Sequence, residues 1–326
     1  MTVLIILRTL RSFLPSALAA CFLSLLSSSV NAAQIPPFFI NSVVALGEEQ
    51  LQQAEHLGEA PHMEWSTEGT GFFYGYLIKD DPNPEKKLYE VYLVTAKHVV
   101  KLHEKAYHSD TNTLSIDLNI RLNGRDHSNV QQFSIGDEAW FFHPNSNVDI
   151  ALAPVNFDLL HGKDFFPDFF QNDQHVADID KLKNLEVTAG DGIFVLGFPM
   201  NLAGKQRNYV IVRNGIIARL GEMLDHASDK FMIDGFVFPG NSGGPVVLRP
   251  EATAITGTKS QSTAYLIGVV INYQEYIDTA ISPQTGRARV TFEENSGLSE
   301  VLPTDFIDEA IKAKHEKMKS ARSTNP

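Results

Sequence analysis

The stretch FPGNSGGPVV, residues 238–247, sets Ser242 among three glycines just before a run of valines. A serine hydroxyl is a poor nucleophile at its ordinary pKa, so chemistry at Ser242 requires a base, a group that orients the base, and donors for a developing oxyanion. His98 follows the apolar run YLVTAK, where a strand end would hold an imidazole firmly. Asp149 opens a second apolar run, DIALAPV, and a carboxylate entering a buried strand is costly unless something pairs with it. In the reaction this allows, Asp149 accepts a hydrogen bond from one ring nitrogen of His98, the other nitrogen takes the proton from Ser242, and the serine oxygen attacks a carbonyl carbon. Gly240, which has no Cβ, can turn its N–H beside that of Ser242 toward the oxyanion. The catalytic candidates are therefore His98, Asp149 and Ser242, with Gly240 and Ser242 as the oxyanion hole. This chemistry needs no cofactor and no metal.

Residue order alone is weak support in a chain with 11 histidines and 39 acids. The three contexts together, 51 residues from His98 to Asp149 and 93 more to Ser242, sharpen it. GNSGG also fits G-x-S-x-G, the nucleophile elbow of an esterase, but that arrangement places both acid and histidine after the serine. Only His315 follows Ser242, in the charged stretch KAKHEKMK, which reads as a solvated helix end. A non-catalytic peptide-binding module is the other alternative. Loss of catalysis would have permitted drift at the three residues or at Gly240, and all are present. His98, His103 and His108 recur every five residues, which matches neither strand nor helix, and no HExxH-like pattern suggests a metal site. Phe165, Phe166, Phe169 and Phe170 read as packing rather than as a binding platform.

Such a site needs rigid elements to hold it, and strand patterns recur along the chain. TGFFYGYLI (70–78) and LYEVYLVTA (88–96) are aromatic and β-branched runs flanking a polar, proline-containing loop. Leu114, Ile116, Leu118, Ile120 and Leu122 alternate with polar residues as in a half-buried strand, and Asn123-Gly124 predicts a tight turn to a partner near VQQFSI. After an acidic, aromatic stretch at 156–185, the series resumes with GIFVLGF, YVIVRNGIIARL, FMIDGFVF, GPVVL and AYLIGVVIN. Many short strands separated by glycine and proline predict a β-sandwich or barrel rather than βαβ units. PTDFIDEAIKAKHEKMK reads as a helix with Thr304 as N-cap and Phe306, Ile307, Ala310 and Ile311 as its apolar stripe, packing across the second half.

The first 32 residues hold Arg8 and Arg11, no acid, and an apolar run ending in VNAAQ. This reads as an export signal cleaved after Ala32, leaving a periplasmic or secreted protein with no stable membrane association. A membrane anchor, or lipidation at Cys21 in LAAC, are the lesser alternatives. Cys21 is the only cysteine, so a chain beginning at Ala33 forms no disulfide and has no thiol nucleophile or thiolate zinc site. Removing the two arginines moves the net charge from −12 to −14. So acidic a surface repels phosphate backbones and anionic lipid, which argues against nucleic acid as a partner.

Taken together, TAKHVV around His98, DIALAPV from Asp149 and GNSGGPV around Ser242 resemble the trypsin-like (chymotrypsin-fold) serine peptidases, and in particular the bacterial HtrA/Deg protease domains. GTGFFY, VLGFP, RNGIIA, LIGVVIN and NSGLSEVLPTDFIDEAI match more loosely, so the resemblance runs over roughly residues 65–312. It implies an all-β fold of two six-stranded antiparallel β-barrels with a C-terminal helix, a cleft between the barrels, and a polypeptide substrate. The expected division is a signal at 1–32, a first barrel at 33–155 carrying His98 and Asp149, a linker at 156–185, a second barrel at 186–303 carrying Ser242, and a helix and tail at 304–326. No PDZ-sized segment follows residue 312, so the resemblance is to a protease domain alone. Three positions depart from the pattern. Lys97 stands where the family often has alanine and is expected to point away. Asn241 replaces an aspartate that in digestive members pairs with a newly cut N-terminus, so activation by trimming is not expected. Phe236 occupies the position whose acid makes trypsin select basic side chains. A pocket walled by Phe236, Ile271, Asn272 and Tyr273 is expected to take a small or medium apolar residue.

Overall fold

Aromatic and β-branched runs flanked by turn residues become strands throughout the computed structural model, which describes residues 35–52, 60–101, 118–123, 130–163, 165, 167–204, 207–251 and 258–324. The expected signal with Cys21, and His103, His108, Leu114, Ile116, Gly124 and Phe166, lie outside the described residues. In the first half the strands are β1 (Val43–Gln52), β2 (His62–Lys79), β3 (Leu88–Thr95), β4 (Leu118–Asn123), β5 (Val130–Ile135), β6 (Phe141–Phe142), β7 (Ala151–Pro154) and β8 (Phe170–Gln171). They form one sheet in the order β5-β4-β1-β2-β3-β7-β6, with β8 alongside β2 in parallel. The two aromatic runs pair as expected, Phe72 opposite Val94, and VQQFSI pairs with β4, Ile120 opposite Phe133. Among the described residues β5 and β6 do not join, so this half is an eight-stranded sheet rather than a closed barrel of six.

The second half closes. β9 (Gly192–Gly197), β10 (Ile211–Arg219), β11 (Phe231–Asp234), β12 (Pro245–Leu248), β13 (Tyr265–Ile281) and β14 (Ala288–Pro303) form a six-stranded antiparallel barrel in the order β10-β11-β14-β13-β12-β9. β9 is buried along its whole length, and the period-2 alternation of a strand explains why it reads as a continuous apolar run. Ile193 and Val195 point into the barrel with Ile217, Ile233, Val246 and Ile267. Phe194 and Leu196 point the other way, into the core that holds Phe72, Phe73, Leu93 and Val94. β12 and β13 divide in the same manner, Val247 and Val269 joining the first core and Val246 and Val270 the second. One set of barrel strands thus serves both cores, and this continuity fixes the strand ends of the first half against the loops of the second.

The stretch at 156–185 is more structured than a bare linker. It carries β8, and Phe170 is fully buried against Phe39 and Phe72, while Phe165 packs edge-on to Phe133. The C-terminal helix (Asp305–Thr324) buries Ile307, Ala310 and Ile311, as its apolar stripe requires, but against the first core and not across the second half. Its polar flank explains the choice: Asp308 accepts from the Tyr74 hydroxyl at 2.7 Å, and Lys314 lies over the Tyr92 and Phe141 rings. Thr304 does not use its hydroxyl as an N-cap. It donates instead to the Ala177 carbonyl. Among the described residues no helix is long and apolar enough to cross a membrane.

Burial pushes the Asp308 carboxyl above its ordinary range despite the hydrogen bonds from Tyr74 and Asn172, with Lys312 lowering it and Asp178 raising it in smaller measure. A carboxyl whose folded pKa is raised favours the native state as pH falls through that pKa, and its charge opposes folding above it. Asp308→Asn keeps an acceptor for Tyr74 and removes the charge, while giving up the longer, 3.4 Å acceptor contact with Asn172. The melting temperature of the variant relative to the native chain is expected to be higher at pH 8 than below the unfolded carboxyl pKa, about 4, because the charge it removes opposes folding only above the raised folded value. Melting curves across that range check both sign and window.

Candidate active site

β3 delivers the chain to His98. Thr95 and Ala96 are fully buried, and the chain then enters a helical turn at residues 97–101 in which Val99 and Val100 face the core, leaving His98 at the edge with its side chain 36% exposed. β7 begins two residues after Asp149 and pairs with β3, Thr95 opposite Ala151. The register of these two strands therefore sets the aspartate beside the histidine. Asp149 Oδ2 lies 2.6 Å from His98 Nδ1, and Oδ1 accepts the His98 backbone N–H at 2.8 Å. With Nδ1 donating to the carboxylate, Nε2 is the nitrogen with a lone pair to offer. Burial pushes the Asp149 carboxyl up, but the hydrogen bonds and charge of His98 outweigh it, and the group is held below its ordinary range. Lys97, expected to point away, braces this corner: its Nζ donates to the carbonyls of Ser146 at 2.6 Å and Val148 at 3.1 Å, on the loop that leads into Asp149.

Ser242 lies on the tight loop between β11 and β12. Asn241 N–H donates to Phe238 O at 2.9 Å and Gly244 N–H to Asn241 O at 2.8 Å, while Gly243 N–H and Gly244 O bind Val270 of β13. Gly240 and Gly243 hold φ of +95° and +85°, the left-handed region that strains any residue with a Cβ. A Cβ on Gly240 would also overlap the Phe198 carbonyl oxygen, and one on Gly243 would overlap Thr70 O and Thr95 Oγ1. Asn241 is fully buried and its Oδ1 accepts from Phe238 N–H at 3.2 Å, so the side chain stabilises its own loop.

Thr70 ties this loop to the first half, a role that sequence reading did not assign. It is fully buried; its N–H donates to Ser242 O at 2.9 Å, its hydroxyl donates to Gly240 O at 2.6 Å and accepts from Phe198 N–H at 3.1 Å, and its carbonyl accepts from the Thr95 hydroxyl. The carbonyls of Gly240 and Ser242 are thereby turned toward β2. Among the described residues the N–H groups of Gly240 and Ser242 donate to no protein acceptor. Gly69, the next residue on β2, separates the two parts of the site: a Cβ there would lie 2.7 Å from the Val99 methyls and 3.2 Å from Ser242 O. No hydrogen bond joins the Ser242 hydroxyl to His98 in this structure. Such contacts are commonly long without substrate and tighten when it binds.

Of the four expected pocket residues, Phe236 is 50% exposed, stacked on Phe238 with ring centroids 6.3 Å apart, and faces Gly297. Ile271, Asn272 and Tyr273 follow directly on Val270, the β13 residue bonded to the loop that carries Ser242. Ile271 is buried in the first core, Asn272 is exposed and Tyr273 is half-buried. His315, read from sequence as a solvated residue, is instead tied to β3: its Nε2 lies 2.7 Å from Glu90, which also accepts from Tyr92. Among the described residues no group of three or more His, Cys, Asp or Glu could hold a metal ion.

Residues 69–253 match the trypsin-like peptidase domain, and the chain belongs to that family. Over 149 residues it is 30% identical to the serine protease DegP homolog of Plasmodium falciparum (isolate 3D7), a match that covers 44% of this chain and 14% of that protein. The chain thus spans a small part of that relative's length. A crystal structure of Rv3671c from Mycobacterium tuberculosis H37Rv, an inactive mutant form, aligns with 86% of this chain and 94% of its own at 15% identity and a TM-score of 0.37, a likeness too slight to assign anything.

Proposed function

We propose that the protein is an exported serine endopeptidase that hydrolyses peptide bonds through Ser242, His98 and Asp149. The observation that carries this reading is the pairing of His98 with Asp149 at 2.6 Å, with Gly69 packed between Val99, the residue after His98, and the carbonyl of Ser242, on a loop whose Gly240 and Ser242 N–H groups donate to no acceptor among the described residues. His98 Nε2 takes the Ser242 proton as the oxygen attacks the scissile carbonyl carbon, and the resulting oxyanion is held by the N–H groups of Gly240 and Ser242. Collapse breaks the C–N bond, with the His98 proton passing to the leaving amine and the acyl group remaining on Ser242. Water then attacks the ester, gives its proton to His98, and the second collapse returns that proton to Ser242 and releases the acid.

The family supports a polypeptide substrate. With Phe236 where an acid would be needed to hold Lys or Arg, the residue before the cut is expected to be a small or medium apolar one. The test is a cleavage profile of a peptide library by the chain. The reading expects internal cleavage that is lost in His98→Ala. An absence of hydrolysis, or hydrolysis unchanged by that substitution, contradicts it.

Thr70 has a role in this reaction through the loop it anchors. Thr70→Val keeps the shape but removes the hydroxyl that holds Gly240 O, on the peptide plane lying between the two that carry the Gly240 and Ser242 N–H groups, and so loosens the segment presenting both donors. The expected fall in kcat is about tenfold to a hundredfold, part of what a lost oxyanion donor costs, with KM little changed. Thr70→Ser should retain most of the activity. Equal losses in both variants would show that packing, not the hydroxyl, is responsible.

A further inference from the structure

The N–H groups of Gly240 and Ser242 belong to peptide planes that are held in different ways. In a trans peptide the N–H points opposite to the C=O, so whatever binds the carbonyl aims the amide. The Ser242 N–H shares its plane with Asn241 O, which accepts from Gly244 N–H at 2.8 Å inside the same loop. The Gly240 N–H shares its plane with Pro239 O, and that carbonyl accepts from outside the loop, from Met200 N–H at 2.7 Å. Met200 lies on the short helical turn Pro199–Asn201 after β9, where Leu202 N–H donates to Pro199 O at 3.0 Å. Met200 and Asn201 hold φ of +54° and +59°, and two successive non-glycine residues stay in the left-handed region only where their surroundings impose it. Burial does not impose it on Met200, which is 52% exposed. Hydrogen bonds to β2 hold the turn at both ends. Before it, Phe198 N–H donates to the Thr70 hydroxyl; after it, the Asn201 side chain binds β2 twice, Oδ1 accepting from Thr67 N–H at 2.7 Å and Nδ2 donating to Trp65 O at 3.0 Å.

We infer that Asn201 is a positioning residue of the oxyanion hole: its side-chain amide, bound to β2, holds the turn whose Met200 N–H fixes the Pro239–Gly240 peptide with the Gly240 N–H free to face an oxyanion. The inference rests on the peptidase reading, since without an oxyanion the Gly240 N–H has nothing to hold. Asparagine suits the position twice over, because it tolerates left-handed φ better than most side chains and offers one acceptor and one donor to consecutive groups of a strand edge. Without its amide the turn relaxes toward ordinary φ and carries Met200 N–H off Pro239 O. The released peptide then rotates easily, because Gly240 has no Cβ to oppose it. The Ser242 N–H, held within its own loop, keeps its direction. Asn201 also borders a cavity of about 950 Å³ with Met63, Trp65 and Gln132. A residue that acted by touching substrate there would alter binding, whereas one that aims Gly240 N–H alters the reacting state.

The test compares the full native chain with Asn201→Ala, Asn201→Gly and Asn201→Asp on a peptide that the native chain cleaves, with active chains counted by aryl phosphonate labelling carried to completion. A peptidyl trifluoromethyl ketone with the same residues before the cut reads the hole itself: Ser242 Oγ adds to the carbonyl carbon, the hydroxyl proton passes to His98, and the carbonyl electron pair becomes an oxyanion facing Gly240 and Ser242. Asn201→Ala and Asn201→Gly lose both bonds to β2. Each is expected to lower kcat per active chain about tenfold and to weaken the ketone by the same factor, with KM within about twofold of native. Asn201→Asp keeps the acceptor for Thr67 N–H and should fall between, which also serves if the other two do not fold. A change confined to KM would make Asn201 a wall of the cavity, and a slower rate with unchanged ketone affinity would make it structural. Either overturns the inference, as does an active chain indifferent to all three substitutions. A native chain that cleaves no peptide fails differently, taking the peptidase reading and this inference together.

Discussion

Replacing Ser242 by alanine is expected to lower peptide hydrolysis by about 10⁴- to 10⁶-fold without unfolding the chain, the loss found where nucleophile and base act as a unit. The separation of chemistry from folding follows from how the residue is held. Ser242 is fixed by its main chain, its carbonyl accepting from Thr70 N–H at 2.9 Å and its neighbours Gly243 and Gly244 bonding Val270, while its hydroxyl takes part in no hydrogen bond among the described residues. Alanine keeps all of the main-chain contacts. The stability should therefore stay within about 0.5 kcal/mol of native, and substrate affinity should be retained. A loss of rate accompanied by a large loss of stability would mean that the residue is structural.

Asp149→Asn is expected to cost about 10⁴ in kcat for a different reason. The amide can still accept the His98 backbone N–H through its oxygen, which turns its NH₂ toward Nδ1. That nitrogen must then accept, the ring proton moves to Nε2, and the nitrogen facing Ser242 has no lone pair for its proton. The same substitution has a signature in stability. A carboxyl held below its ordinary range contributes stability that is present above the unfolded pKa, near 4, and is lost as pH falls through the folded value. The variant lacks this contribution at neutral pH, so the gap between native and variant melting temperatures should narrow as the pH is lowered toward 3. A gap that widens on acidification would contradict the pairing.

The two examples also mark what could be read from residues in order. The His98–Asp149 pair was legible because each lies at the end of an apolar run, and strand pairing between such runs is the simplest way to relieve a carboxylate at a buried edge. The glycines around Ser242 were legible because left-handed φ and close approach leave few other choices. Thr70 was not, since its bonds span 170 positions to Gly240 and a lone threonine between glycines carries no period. β1, with Gly-Glu-Glu-Gln in its middle, and β14, where Glu-Glu-Asn-Ser-Gly interrupts the strand after Phe292, lack a continuous β-branched run of the kind that marks a strand. Their pairing comes from neighbours already in place. The apolar stripe of the last helix was readable, but not which core it would meet, because that was decided by Tyr74 and Glu90, far off in the chain, receiving Asp308 and His315. The first half was expected to close like the second; among the described residues its strands run instead from β5 to β6 as one open sheet.

The most direct measurement is covalent labelling of the chain with a fluorescent aryl phosphonate, followed by peptide mass mapping. Attack on phosphorus needs the activated oxygen, the neutral imidazole and the two N–H donors all at once, and it does not depend on knowing the substrate. The account predicts one adduct, on Ser242, lost in Ser242→Ala and formed far more slowly in Asp149→Asn. A chain that stays unlabelled at neutral pH, or one labelled equally well after Ser242→Ala, would contradict it.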